Sequence, residues 1–442
     1  MLNMIGIGPF ITIPLILSTM GGPQAMLGWV LGLLLAICDG LVWAELGAAM
    51  PGAGGSYIYL REAFGPRTWG GLMSFLFIWM IVFIAPLSAA SAAVGFSNYL
   101  KYLWPGMTHT QAVLVAVAVC GAVTALLYRN IESVGWLSVV MLWVVVLTTL
   151  WIIGAGLTHF NAARVFSFPP GAFRLDRAFF QSLGAATLIA IYDYGGYSNI
   201  CYLGGEVKDP SRTIPRAVIL SLLFVAAIYL LMSTSVIAVV PWQEAARSTA
   251  IASDMLARIY GGWAGTAATV LVLWTTFAAL FALMLGYTRI PYAAAVDGRF
   301  FSVFARLHPR GRFPHVSLLV LGAVSMALCV FDLEAIIKAL IVIQIAVQVL
   351  AQIVAVTFIR RCRPDIHRPF HMWLYPLPSV VAFALWSYVL VTSGWRFIAG
   401  GFAVLFAGIV LFLCRARSHR EWPFRPAAEA GQGEKATAET GQ

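Results

Sequence analysis

Apolar stretches of about twenty residues recur along the whole chain and alternate with short polar or basic segments. A helix rises about 1.5 Å per residue, so roughly 20 apolar residues cross the roughly 30 Å hydrocarbon core of a bilayer. The pattern predicts twelve membrane-spanning helices. Their approximate spans are residues 1–20, 25–50, 68–98, 110–128, 135–157, 179–203, 216–240, 262–289, 316–331, 333–358, 373–391 and 396–414. We therefore predict an all-α polytopic membrane protein.

Composition points to the same class. Of the 442 residues, 61% are hydrophobic and only 10% are charged, and the mean hydropathy is +0.86. In soluble globular domains about a quarter of all residues are charged. An ordinary soluble domain is therefore excluded.

Two of the apolar segments contain glycine interruptions. The first carries Gly-Ile-Gly-Pro at 6–9, and the sixth carries Tyr-Gly-Gly-Tyr at 194–197. A broken helix at membrane depth exposes peptide groups, which cost several kcal/mol each in lipid unless a solute, water or protein satisfies them. Such breaks usually line a binding cavity, so the pair indicates a transporter.

Basic residues are concentrated in loops on one predicted side of the membrane. The chain has 28 Lys and Arg against 18 Asp and Glu, a formal net charge of +10. The richest stretches are 289–312, 360–368 and 415–425. By the positive-inside rule both termini are predicted to be cytoplasmic. The charge then reflects topology and contact with anionic lipid rather than nucleic acid.

Cysteine and histidine positions give no sign of a cofactor, metal or enzyme site. The six cysteines are scattered without a disulfide framework or metal-ligand spacing, and the seven histidines fall in predicted loops or tails. A membrane-embedded enzyme would need converging acid, His or Cys groups at depth, and an ATP-driven pump a nucleotide-binding loop. We expect neither.

The first segment belongs to the predicted mature fold because it lacks a basic leading region and a small-residue cleavage site. Only five residues precede Gly6. Either the true start lies upstream of the recorded one, or the protein works with a short stub.

Several motifs resemble those of the amino acid–polyamine–organocation (APC) permease superfamily. They are Asn-Met-Ile-Gly-Ile-Gly-Pro-Phe at 3–10 with Pro14, Glu-Leu at 45–46, Pro-Gly-Ala-Gly-Gly-Ser-Tyr-Ile-Tyr at 51–59 and Phe-Gly at 64–65. The most specific is the stretch from Tyr194 to Tyr197 together with Gly-Glu-Val-Lys-Asp-Pro-Ser-Arg-Thr-Ile-Pro-Arg at 205–216. The likeness continues through 289–314 and 360–370.

The resemblance implies a fold of five-plus-five inverted repeats with helices 1 and 6 unwound at the midplane, working by alternating access. The transporter domain would span 1–414, with repeat one at about 1–157, repeat two at about 179–358 and two extra helices within 373–414. A largely disordered cytoplasmic tail would follow at 415–442, with disorder predicted for 426–442 because these residues are rich in Ala, Glu, Gly, Gln and Thr. Family likeness and compact loops favour a bacterial inner membrane.

In this family the broken first helix presents amides to a substrate carboxylate, and carbonyls of the sixth segment accept from a substrate ammonium. Carried onto this sequence, the substrate-binding candidates are Ile7, Gly8, Ile191, Tyr192, Asp193, Tyr194, Gly195, Gly196 and Tyr197. Pro9 departs from the family pattern and has no N–H. Either it weakens the carboxylate cradle, or it occupies the first position of a half-helix, where a missing N–H is harmless.

Two acids at mid-depth are candidates for ion coupling, Asp39 and Asp193. A carboxylate near the bilayer centre costs about 2.5–3.5 kcal/mol on insertion scales and usually serves a purpose. Asp193 could bind a second amine, carry a proton or cap freed amides. Asp39 could carry a proton or bond a neighbouring helix as a neutral acid. Proton coupling and exchange stay open, whereas no cluster of hard oxygen ligands argues for sodium.

Other polar residues in the apolar segments are pathway candidates. Gln344, Gln348 and Gln352 share one helical face, where they line a polar pathway or bond across helices as packing. Trp274, Thr275 and Thr276 are cavity candidates, and Glu45 has a structural or gating part.

The leading functional hypothesis is secondary active transport of an amino acid, since the segment at 194–197 most resembles amino acid permeases. Uptake of a polyamine or organic cation is the close alternative, favoured by Pro9 and Asp193. A non-transporting membrane sensor is the alternative of another class. The oligomeric state is not predicted.

Overall fold

The computed structural model describes residues 8–52, 54–128, 134–202, 204–298, 300–309, 311, 313–419 and 422–424. Throughout these residues the regular elements are helices, and no strand occurs. The predicted interruption at Gly6 and the predicted disorder of 426–442 lie outside them.

The helices follow one another in the order that the hydrophobic pattern predicts, with several short additions. They are α1 (Gly8–Met20), α2 (Met26–Ala49), α3 (Ser56–Phe64), α4 (Gly70–Leu100), α5 (His109–Tyr128), α6 (Val134–Thr158), α7 (Ala162–Val165), α8 (Arg177–Tyr194), α9 (Asn199–Tyr202), α10 (Pro210–Val239), α11 (Trp242–Ala245), α12 (Ile251–Tyr260), α13 (Gly262–Tyr287), α14 (Arg289–Val296), α15 (His315–Leu328), α16 (Leu333–Gln344), α17 (Leu350–Cys362), α18 (Leu377–Thr392) and α19 (Trp395–His419). A π turn at Ile345–Val349 joins α16 to α17.

Seven of the helical stretches in the described part of the chain are long and apolar enough to cross a membrane. They are Pro23–Ala49, Gly70–Leu100, His109–Tyr128, Pro210–Val239, Gly262–Val296, Leu333–Cys362 and Trp395–Ser418. Shorter apolar helices are Gly8–Met20, Trp143–Thr158, His315–Leu328 and Leu377–Thr392. This content identifies a polytopic, helical integral membrane protein.

The outer faces of the helices carry large apolar side chains. Leu114 of α5, Trp143 of α6, Leu220 of α10 and Phe406 of α19 are all exposed at the surface of the bundle. In water such a surface would be unfavourable, because each exposed apolar side chain loses the free energy of burial. In a bilayer the same side chains face hydrocarbon.

Small residues bring α2 close to α8. A side-chain carbon added to Gly28 would lie 2.9 Å from Ala186 Cβ, and one added to Gly32 would lie 3.3 Å from Ala190 Cβ. The two glycines are four residues apart, and so are the two alanines, so they lie along facing stripes of α2 and α8. Membrane helices pack closely through such stripes of small residues. The α2–α8 seam fixes the position of the carboxyl end of α8.

Candidate functional site

Helix α8 ends at Tyr194, and the four residues at 195–198 form a turn before α9 begins at Asn199. Gly196 has a φ of 107°, a left-handed value that favours glycine. The amide of Gly195 donates to the carbonyls of Ile191 (3.1 Å) and Tyr192 (3.2 Å). Gly195 is exposed although Tyr194 and Tyr197 are buried, so the backbone at this turn is accessible.

The amino end of α1 lies against Asp193. A side-chain carbon built on Gly8 would lie 2.2 Å from Asp193 Oδ1 and 2.9 Å from its Cγ. Pro9, which has no N–H, lies in α1 directly after Gly8, and its effect on a carboxylate cradle stays a prediction. Ile7, which the sequence places among the substrate-binding candidates, lies outside the described residues.

The carboxylate of Asp193 is buried, with 3% of the residue exposed. Its Oδ2 lies 2.5 Å from the Thr12 hydroxyl, which is also 3.0 Å from the Gly8 carbonyl. Its Oδ1 has no hydrogen-bond partner among the described residues. The Tyr229 hydroxyl donates to the backbone carbonyl of Asp193 at 3.0 Å. These contacts join the end of α8 to the described beginning of α1, and none of them involves the second carboxylate oxygen.

Asp39 meets the same turn from α2. The Tyr197 hydroxyl donates to Asp39 Oδ2, and Asp39 is 1% exposed. The Tyr194 hydroxyl donates to the Trp29 carbonyl of α2 at 3.3 Å. Helix α2 therefore contacts Tyr197, which lies in the turn, and Tyr194, the last residue before the turn. Of the two interpretations from sequence, the bond to a neighbouring segment is present, and the coupling role stays a prediction.

The aromatic side chains around Asp193 divide between packing and a polar contact. Trp29, Tyr194 and Tyr229 form a cluster with ring centroids 5.3–5.9 Å apart. Tyr192 is half-buried, and its hydroxyl lies 2.8 Å from Ser91 Oγ of α4. Tyr194 therefore contributes to helix packing, and Tyr192 faces α4.

The glutamines of the tenth predicted segment bond across helices. Gln348 lies in the π turn, and its Nε2 donates to Ser56 Oγ (2.9 Å) and to the Tyr202 hydroxyl (3.2 Å). Ser56 donates in turn to Gln352 Oε1. Gln344 is half-buried. Gln348 and Gln352 therefore make packing contacts in this conformation. These contacts join α3, α9 and α17.

The structure does not bring the candidates of the eighth predicted segment to the turn at 195–198. Trp274 is 44% exposed. Thr275 and Thr276 are buried, and their hydroxyls donate to the carbonyls of Leu271 and Val272 in their own helix. Their predicted role in a pathway stays a prediction.

Sequence reasoning missed Thr12 and Tyr229. Thr12 follows Gly8 by four residues and therefore lies on the same face of α1, which is the signal that could have found it. Tyr229 lies 36 residues after Asp193, on α10, and only the tertiary packing brings the two together.

Glu45 forms a buried ion pair at one end of the bundle. Its two carboxylate oxygens accept from Arg360 Nε (2.7 Å) and from another guanidinium nitrogen (2.5 Å), and Oε2 also accepts from the Met372 amide at 2.9 Å. The guanidinium carbon of Arg360 lies 3.8 Å from the centroid of the Tyr375 ring. The pair joins α2 to α17 and to the segment before α18. This supports a structural part for Glu45 in this conformation.

A second basic contact lies in the loop after α17. Arg363 bonds Asp365 at 3.0 Å and reaches Glu62 Oε2 at 3.6 Å. The Arg363 guanidinium holds the pKa of the Asp365 carboxyl below its usual range by hydrogen bonding to the ionised form. This loop and α3 therefore share one charged cluster.

Comparisons with known proteins identify the family. Residues 2–414 match the family model described as amino acid permease. The chain is 34% identical over 310 residues to an uncharacterized transporter of Mycobacterium tuberculosis, covering 70% of this chain and 66% of that protein. It is 29% identical over 409 residues to Asc-type amino acid transporter 1 of Homo sapiens, covering 88% and 75%.

A third relative is cationic amino acid transporter 4 of Mus musculus, 27% identical over 358 residues, covering 76% of this chain and 54% of that protein. The chain thus spans slightly less than two thirds of the mycobacterial relative and about half of the mouse one. Because the family model matches nearly the whole sequence, this chain belongs to the amino acid permease family.

Proposed function

We propose that this protein is a secondary active transporter that moves an amino acid or a related amine across the membrane by alternating access. The observation that carries the proposal is the turn at 195–198, which interrupts the helical chain after α8, exposes Gly195 and lies beside the contact between Asp193 and Gly8. Irregular backbone at membrane depth is tolerated where it lines a cavity. The names of the relatives, which are transporters, support the same activity.

The substrate site in this proposal lies between the amino end of α1 and the carboxyl end of α8. The ammonium group of the solute binds carbonyls at the end of α8, with the candidates Ile191, Tyr192 and Tyr194. The amino end of α1 carries a partial positive charge and unpaired amides, which favour an anionic group. Such pairs of half-helix ends are the usual binding elements of transporters with inverted repeats.

The finer architecture is part of the proposal. Twelve spans form two inverted repeats, at about 1–157 and 179–358, followed by two extra helices within 373–414. The first and sixth spans are unwound. The end of α8 at Tyr194 supports this arrangement. Both termini lie in the cytoplasm of a bacterium, supported by the basic stretches of the loops.

Transport is coupled to a proton or proceeds by exchange. Asp39 and Asp193 are the coupling candidates, since both carboxyls lie at the proposed site: Asp39 bonds Tyr197, and Asp193 lies against Gly8 and Thr12. A change in the charge of either acid would alter contacts at the solute site itself. That is the arrangement that coupling requires.

The experiment is uptake into liposomes that contain the purified protein. Labelled amino acids and diamines are supplied with and without an inward pH gradient, and empty liposomes are the control. Saturable accumulation of at least one solute is the expected result, and stimulation by the gradient would assign proton coupling. Solute binding without uptake would favour the alternative of a sensor, and neither binding nor uptake across the panel would refute the proposal.

Two substitutions test the coupling candidates separately. Asp39→Asn and Asp193→Asn each remove one charge with little change in volume. Asp254→Asn on the exposed face of α12 is the matched control. Loss of gradient-driven accumulation with retained exchange of solute would assign the proton to the altered acid. A variant that accumulates solute as the unaltered protein does is not the coupling residue.

A further inference from the structure

One carboxylate oxygen at the candidate site has no partner in the part of the chain that the structure describes. Asp193 Oδ1 is buried, makes no hydrogen bond with any described residue, and points at the amino end of α1. Among those same residues no lysine or arginine forms an ion pair with Asp193. A buried carboxylate oxygen without a donor is unfavourable, so the position fits a ligand that brings N–H groups or positive charge.

The charge of Asp193 lies where a helix favours an anion. The proposed transport site makes Gly8 the start of a half-helix, and the first amides of such a half-helix have no intrahelical acceptor. In transporters of this architecture such a helix end binds the anionic group of the solute. Here the chain itself supplies a carboxylate at that end. A solute carboxylate at the same end would face a like charge in a buried site, where such repulsion is poorly screened.

Space at the helix end is also limited. A single carbon added to Gly8 would approach Asp193 Oδ1 to 2.2 Å, so no carboxylate fits between these two residues while Asp193 keeps its position. Rotating the side chain away would break the 2.5 Å contact between Oδ2 and the Thr12 hydroxyl. Charge and space therefore both disfavour a solute carboxylate beside Gly8.

The surroundings of Asp193 suit a cation. The Tyr229 hydroxyl bonds the backbone carbonyl of Asp193, and the half-buried Tyr192 precedes Asp193 directly. An ammonium group would find the unpaired oxygen and peptide carbonyls at the end of α8, both of which stabilise positive charge.

Resting on the proposed transport function and narrowing it, we infer that the carboxylate of Asp193 stands in for a substrate carboxylate at the amino end of α1. Asp193 is a specificity-determining residue that accepts the ammonium group of the cargo. The preferred cargo is then a primary amine or diamine without a carboxylate, rather than the corresponding amino acid.

The test uses solute pairs that differ only by the carboxylate group. Lysine is compared with cadaverine, and ornithine with putrescine, in competition binding to the purified, full-length protein against whichever amine or amino acid binds measurably. The quantity of interest is the ratio of the two Kd values within a pair. We expect the unaltered protein to bind the diamine at least about tenfold more tightly than the amino acid.

Two variants of Asp193 separate charge from space. Asp193→Asn keeps the volume and removes the charge, whereas Asp193→Ser removes the charge and opens room beside Gly8. We expect both to shift the ratio toward the amino acid, Asp193→Ser by at least about tenfold. Asp254→Asn removes an acid from the exposed face of α12 and should leave the ratio unchanged. If Asp193→Ser does not fold, the ratio of the unaltered protein and that of Asp193→Asn decide.

Equal or tighter binding of lysine than of cadaverine by the unaltered protein would overturn the inference. So would an unchanged ratio in every folded Asp193 variant. Failure of the transport proposal looks different, because no amino acid or amine would then be taken up by liposomes. If amino acids are transported but the ratio of the two Kd values within a pair does not depend on Asp193, the inference is refuted and the transport proposal stands.

Discussion

Replacing Arg360 with methionine should strongly destabilise the protein, because it leaves the carboxylate of Glu45 buried without its cation. The Glu45 side chain is fully buried and that of Arg360 is 16% exposed. Two of the three hydrogen bonds to the carboxylate come from Arg360, and only the one from the Met372 amide remains after the change. Breaking a buried pair by removing one partner typically costs about 3–5 kcal/mol.

That cost corresponds to about two to four powers of ten in the unfolding equilibrium, at 1.4 kcal/mol for each tenfold change. The double variant Glu45→Gln/Arg360→Met removes both charges and should recover most of the loss, since an isolated buried charge is the main penalty. Arg360→Lys keeps the charge but loses the two-pronged contact, so we expect an intermediate loss of about 1.5–3 kcal/mol.

The assay is unfolding of the purified protein in mixed detergent micelles with increasing sodium dodecyl sulfate, followed by tryptophan fluorescence. The four proteins form a double-mutant cycle once Glu45→Gln is included, and the coupling energy is read from departures from additivity. A coupling near zero, with the double variant losing the sum of the two single losses, would refute the reasoning. It would mean that the pair is solvated despite its burial.

Three further changes test the contacts around the site. Gly8→Ala should cost about 1–3 kcal/mol of unfolding free energy because the new carbon collides with Asp193. The double variant Gly8→Ala/Asp193→Ser should recover this loss in the same unfolding assay, and no recovery would contradict the contact. Tyr197→Phe removes one donor to buried Asp39 and should cost about 1–3 kcal/mol. An unchanged midpoint would show that this bond does not stabilise the fold. Gln348→Leu loses two donated hydrogen bonds and should lower the thermal midpoint in detergent; an equal or higher midpoint would speak against packing.

The hydrophobic pattern predicted the long helices well because a run of twenty apolar residues has one favourable conformation in lipid. For example, the prediction of 25–50 compares with Met26–Ala49 for α2, and that of 110–128 with His109–Tyr128 for α5. Short helices such as α3 at Ser56–Phe64 were not predicted. Their composition is mixed, and packing against neighbours rather than length stabilises them.

The side-chain contacts of the site were beyond the sequence. Asp193 stood out as a buried acid, yet its partner Thr12 is 181 positions away in the chain. Glu45 and Arg360 are 315 positions apart. Such pairs depend on which helices become neighbours and how each is rotated, and neither quantity is encoded in the local pattern. The sequence therefore indicated which residues are important, but it did not indicate which residues they contact.

The seam between α2 and α8 limits which motions can open and close a path for a solute. Sliding α2 along α8 would drive the carbon of Ala186 into the backbone at Gly28, and it would break the bond from Tyr197 to Asp39. Interlocked surfaces of this kind resist shear and travel as one rigid body. The two helices then move together and carry the turn at 195–198 with them, so any rocking between the two sides of the membrane takes place along other interfaces.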